Sequence, residues 1–149
     1  MKEQKKYDAQ DFNSLYKELD DLYHDVALEI GIPDSALTVL YTVCRIGGGC
    51  LQKDVCGQAY VSKQTVNSAI RKLEAAGYLY LAQGKGRDKH IYLTDAGEKF
   101  AAEKVLPIVT AEDNAFSSLT PSEQQELFRL MKKYADNFRR NLKNTRWHS

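Results

Sequence analysis

The groups in this chain best fitted to chemistry are hydrogen-bond donors and cations. They cluster in Ser62-Lys63-Gln64-Thr65-Val66-Asn67-Ser68-Ala69-Ile70-Arg71-Lys72-Leu73. Val66, Ala69, Ile70 and Leu73 recur at i, i+3, i+4 and i+7, the spacing of one helix face. Turning them inward leaves Ser62, Lys63, Gln64, Thr65, Asn67, Ser68, Arg71 and Lys72 outside. These types suit the edges and backbone of a nucleic-acid duplex. Gln64 and Asn67 can pair bidentately with adenine, and Arg71 with guanine or a phosphate. Ser62 and Thr65 offer short donors, and a helix N-terminus attracts phosphate. Lys63 and Lys72 are expected on the sugar-phosphate backbone, where contacts position without specifying sequence. A few residues on, Gln83-Gly84-Lys85-Gly86-Arg87-Asp88-Lys89 reads as a hairpin tip. Its Lys85, Arg87 and Lys89 are long enough for an adjacent minor groove or its phosphates.

Other chemistries find little support. Cys44, Cys50 and Cys56 are each separated by five residues, which is no zinc spacing, and His24, His90 and His148 are scattered. Cys44 falls on an apolar helical stripe, whereas Cys50, beside a glycine turn, is the one expected to be exposed. A cysteine-based redox-sensing regulator is the alternative these thiols raise. No nucleophile–base pair or carboxylate constellation stands out, so neither an enzyme nor a metal or other cofactor is expected. The triplet Gly47-Gly48-Gly49 lacks the lysine-serine or lysine-threonine pair of a phosphate loop and reads as a turn. Tyr16, Tyr23 and Tyr41 sit on apolar faces and read as core packing.

The positioning elements follow from period and punctuation. Phe12, Leu15, Tyr16, Leu19, Leu22, Tyr23, Val26 and Ile30 mark a long first helix, ended by Gly31 and Pro33. Asp34 is expected to cap a second helix carrying Leu37, Leu40, Tyr41 and Cys44. A short helix follows, with Val55, Cys56 and Ala59 on one face. After the Tyr60-Val61 connector, Ser62 caps the polar helix, and Gly77 ends it. The period then changes to two: Leu79 and Leu81 alternate with Tyr78 and Tyr80, and Ile91 and Leu93 with Tyr92. Thr94 or Asp95 caps the next helix, which Pro107 should kink or interrupt. Thr120-Pro121-Ser122-Glu123 is a capping box with proline at the first helical position. The last helix carries Leu127, Leu130, Met131, Tyr134, Phe138 and Leu142 on one stripe. The fold expected is mainly α (α+β), a winged helix-turn-helix with long terminal helices. Residues 34–97 form the DNA-binding domain, and residues 1–33 and 98–149 the dimerisation region.

A net charge of +1 over 149 residues hides a strong division. Residues 1–30 hold four lysines against eight acids, and residues 60–94 hold six Lys or Arg against two acids. Residues 132–149 hold six basic residues against Asp136 alone. A polyanion responds to such local charge within a Debye length of roughly 8 Å. No apolar run approaches the roughly 18 residues of a membrane span. The N-terminus has no apolar stretch behind its lysines, so a cytoplasmic protein with reduced thiols is expected.

The ordered motifs resemble the MarR family of winged-helix transcriptional regulators. They are Ser62-Lys63-Gln64-Thr65-Val66, Leu73-Glu74-Ala75-Ala76-Gly77-Tyr78-Leu79 and Leu93-Thr94-Asp95-Ala96-Gly97. The flanking long helices match as well. One departure lies in the wing: family members often carry aspartate-x-arginine, whereas here Asp88 is followed by Lys89 and His90, and Arg87 precedes it. The resemblance implies a homodimer on a palindromic double-stranded operator, with a pocket for a small-molecule effector or an oxidant. Dimerisation is also expected from the residues. Leu15, Leu19, Leu22 and Val26 on the first helix, and Leu127, Leu130, Tyr134 and Phe138 on the last, are more apolar surface than one lobe can easily bury. A winged helix serving protein interaction without DNA is the other alternative, and the basic helix and hairpin weigh against it.

Overall fold

A computed structural model describes residues 4–58, 61–84 and 86–147. The expected Ala59, Tyr60, Lys85 and His148 lie outside the described residues. The order is α1 (Ala9–Ile30), α2 (Asp34–Ile46), β1 (Cys50–Leu51), α3 (Gln52–Gln58), α4 (Lys63–Ala75), β2 (Leu79–Gln83), β3 (Lys89–Leu93) and α5 (Asp95–Phe100). A π-helical turn (Ala101–Val105), α6 (Leu106–Ser117) and α7 (Pro121–Lys143) complete the chain. Two compact units result, one ending at Val109 and one beginning at Thr110. Among the described residues no single helix is long and apolar enough to cross a membrane.

The first unit is built as the periods require. Val66, Ala69, Ile70 and Leu73 of α4 are buried against Val39, Leu40 and Val43 of α2, Val55 of α3, and Leu79 and Ile91 of the sheet. The sheet has three strands in the order β1-β3-β2, all antiparallel. Leu79 faces Leu93 and Leu81 faces Ile91 across the hairpin, so one face is apolar. Tyr80 and Tyr92 stack on the other face with ring centroids 5.6 Å apart. The third strand, β1, is an addition to the expected two-stranded wing. It pairs Cys50 with Ile91 and Leu51 with His90. The glycine triplet that leads into it turns as expected, with φ of 104° at Gly47 and 91° at Gly49.

Three local expectations need correction. Asp34 is the first residue of α2 rather than its cap. Pro33 occupies the cap without a side-chain bond, and the Asp34 carboxylate is turned instead toward His24 Nδ1, 2.8 Å away. Tyr16 and Tyr23 are exposed rather than packed in the core, and Tyr23 meets Tyr41 edge-on. Cys50 is buried at 4% exposure, because its pairing with Ile91 makes it part of the sheet and adds it to the core cluster.

Pro107 interrupts the helix in a specific way. The five residues before α6 widen into a π turn, whose closing bond runs from Leu106 N–H to the Ala101 carbonyl. Proline has no N–H and its ring collides with the carbonyl four residues back, so a wider turn there absorbs both problems. In the second unit the capping box forms as read: Thr120 Oγ1 accepts from Glu123 N–H and Glu123 Oε1 from Thr120 N–H. Those bonds hold the Glu123 carboxyl below the usual carboxylate range. No residue of α7 is buried.

Candidate nucleic-acid interface

The site begins with how α4 is held. Ser62 caps it, its hydroxyl accepting from Thr65 N–H at 3.1 Å and lying 2.9 Å from the Thr65 hydroxyl. These two short donors are therefore already engaged at the helix start. From α3, Gln52 Nε2 donates to Asn67 Oδ1 at 2.5 Å and to the Lys63 carbonyl at 3.3 Å. A single amide thus pins the short helix to two turns of the longer one. Gln52 carries no periodic signal, and only the folded pairing reveals it.

Ser62, Lys63, Gln64, Thr65, Ser68, Arg71 and Lys72 are all exposed, as expected, whereas Asn67 is half-buried. A groove of about 700 Å³ runs between α3, α4 and the hairpin. Lys63, Asn67, Arg71, Arg87 and Lys89 line it together, with Lys53 of α3, which sequence reasoning passed over. Five cations therefore face one carboxylate, Asp88, among its lining residues. Ser62, Gln64, Thr65, Ser68 and Lys72 lie outside the groove, on α4's exposed surface. The hairpin is closed by Gly84 N–H donating to the Asp88 carbonyl at 3.2 Å. At the stem, His90 Nδ1 lies 2.6 Å from the Gly49 carbonyl oxygen.

A helix with an open polar face, a short helix crossing behind it and a basic hairpin alongside make a winged helix-turn-helix. Residues 30–88 match the family model of the MarR family. The lobe has the winged-helix fold and is similar to the MarR family over those residues. The likeness to solved structures extends over nearly the whole chain. NMB1585, a MarR family regulator from Neisseria meningitidis, superposes with a TM-score of 0.75 at 18% identity, covering 92% of this chain and 97% of that one. A putative MarR family regulator from Listeria monocytogenes, solved in complex with 26mer DNA, gives 0.66 at 19% identity over 97% and 99%. NadR in complex with 4-hydroxyphenylacetate gives 0.65 at 19% identity over 91% and 98%. No curated protein matches.

The winged lobe also places its thiols. Cys44 and Cys56 are half-buried, and Cys50 is buried. Burial pushes the Cys44 and Cys50 thiols up, and Asp54 adds to the effect at Cys50. The thiolate is the reactive form, so raising the pKa lowers reactivity at neutral pH. Cys50 is expected to alkylate far more slowly in the folded protein than after denaturation. Equal rates, read by mass spectrometry, would contradict its burial. Among the described residues no three His, Cys, Asp or Glu gather as a metal site.

Proposed function

We propose that the chain is a sequence-specific DNA-binding transcriptional regulator. It acts as a two-fold dimer that represses from a palindromic operator and leaves it when a small molecule binds. The observation that carries this reading is the groove in which Lys53, Lys63, Arg71, Arg87 and Lys89 converge beside the open face of α4. Gln64 and Arg71 read base edges. Asn67 adds its free amide protons, while its oxygen is held by Gln52. Ser62, Lys63, Thr65, Ser68 and Lys72 set the register on the backbone, and Arg87, Lys89 and Lys85 reach the flanking phosphates. Support also comes from the Listeria relative held on DNA and from NadR holding a small aromatic acid. Leu15, Leu19 and Leu22 on α1, and Leu127, Leu130, Tyr134 and Phe138 on α7, are exposed and supply the dimer seam; Val26 is half-buried beside them.

The test is a titration of the protein's own upstream DNA against a scrambled duplex at stated salt. Arg71→Ala is expected to cost about 1–3 kcal/mol of specific affinity and to relax the preference at one base position. Wild-type discrimination by that variant, with the fold intact, would remove Arg71 from base readout. A wild-type chain that binds neither duplex would point instead to a protein-interaction module.

A further inference from the structure

The second unit carries a charged surface that this reading leaves unused. Along α7, Arg129, Lys132, Lys133 and Arg140 line one shallow groove with Asp136 and Asn137. Lys143 and Arg139 continue the same side at steps of three, four and seven residues. Two of these cations are committed locally: Arg129 to Glu126 at 2.5 Å and Arg139 to Asp136 at 3.0 Å. The other four, Lys132, Lys133, Arg140 and Lys143, are exposed. From Arg129 to Lys143 the helix rises about 21 Å. B-DNA carries about a dozen phosphate charges over that length.

We infer that this face of α7 is a second, sequence-independent DNA-binding surface. It lies opposite the stripe of Leu127, Leu130, Tyr134 and Phe138, so a seam that covers the stripe leaves the cations in solvent. That placement argues against the other anionic partners. Cations that pair across a helix–helix seam sit on its edges; of the four, only Lys133, three residues from Leu130, borders the stripe, while Lys132, Arg140 and Lys143 lie on the far side of α7. A helix lying in a lipid surface needs its apolar stripe free for the bilayer, and the dimer takes that stripe. What remains is a bare cationic ridge, which suits the phosphates of a duplex. The inference rests on the DNA-binding reading for its choice of polyanion.

The experiment uses the full chain with Lys132, Lys133, Arg140 and Lys143 all replaced by Gln. Binding to a random-sequence duplex is measured against salt, beside binding to vesicles of phosphatidylserine and phosphatidylcholine. Each lost phosphate contact flattens the log–log slope by about 0.9, so the slope on random DNA is expected to fall by up to about 3.6. The operator-to-random ratio stays near that of wild type. Replacing the three lysines by Arg and keeping Arg140 should restore the slope. An unchanged slope in a Gln variant that keeps its dimer mass and helicity would overturn the inference. So would a loss confined to the vesicles. A wild-type chain that grips random DNA through α7 but shows no operator preference would sink the regulator reading and leave this one standing.

Discussion

Gly97→Ala is expected to unfold the winged lobe or to destabilise it by at least about 3 kcal/mol, a large part of the roughly 5–15 kcal/mol that holds a small domain together. Gly97 is buried, and a Cβ there would fall inside the contact distance of the Tyr78 backbone carbonyl. That carbonyl is not free to move. It accepts from Thr94 N–H at 3.1 Å, while Thr94 Oγ1 donates to the Gly77 carbonyl at 2.5 Å and accepts from Gly97 N–H at 3.0 Å. Tyr78 N–H is itself bonded to Leu73 O at 2.9 Å. The end of α4, the start of β2 and the first turn of α5 thus meet in one small knot. The leucine-threonine-x-x-glycine motif reads physically as its side of that knot. A side chain at Gly97 can be accommodated only by prising the helix from the strand. Chemical denaturation followed by circular dichroism measures the effect, and a midpoint equal to wild type would show that α5 backs away at little cost.

Leu130→Asp combined with Phe138→Asp should convert the protein into a monomer and weaken operator binding by about 10²–10⁴-fold, the advantage that linking two binding modules confers. Both side chains are about half exposed in the isolated chain, at 48% and 55%. They belong to a stripe with no buried member, on a helix whose capping box and proline start make it locally well formed. Carboxylates there cannot be buried unpaired in an apolar seam. The pair of substitutions leaves Lys132, Lys133, Arg140 and Lys143 in place, so loss of the seam is separated from loss of the cationic ridge. In a two-fold dimer the recognition helices are expected to span half-sites roughly 34–36 Å apart. Light scattering supplies the mass. A particle near 16.9 kDa that still binds a palindrome as tightly as wild type would show that α1 and α7 do not join two copies.

What could be read from the residues was what their near neighbours decide. Ser62, Val66, Ile70 and Leu73 mark α4 by a cap and a period contained within twelve residues, and the helix lies where they place it. Thr120, Pro121 and Glu123 announce the start of α7 just as locally. The failures share a cause in pairing over long distance. Cys50 looks exposed beside three glycines until Ile91, forty-one positions later, pairs with it. Two residues of strand carry no period, so β1 is invisible without its partner. The bond from Gln52 to Asn67 depends on two helices crossing, and no spacing rule points to it. Pro107 promised an interruption, and it could not say that the helix would widen rather than break. For the candidate site, the outward donors and cations of α4 and the wing were readable, while Lys53 and the convergence on one groove came only with the fold.

The middle position of β3 bears on the thermodynamics of the wing. A two-stranded flap is free along one edge and surrenders much of its motion when it grips a ligand. Here β3 is clamped on both sides, by five paired positions with β2 and two with β1, and the contact between His90 and Gly49 fastens the stem to the turn behind it. Most of the ordering entropy of the stem is therefore spent during folding and need not be spent again on encounter. Lys89, the first residue of β3, starts from that ordered stem, so in the proposed complex its attraction to phosphate would be discounted mainly by the freezing of its own side chain.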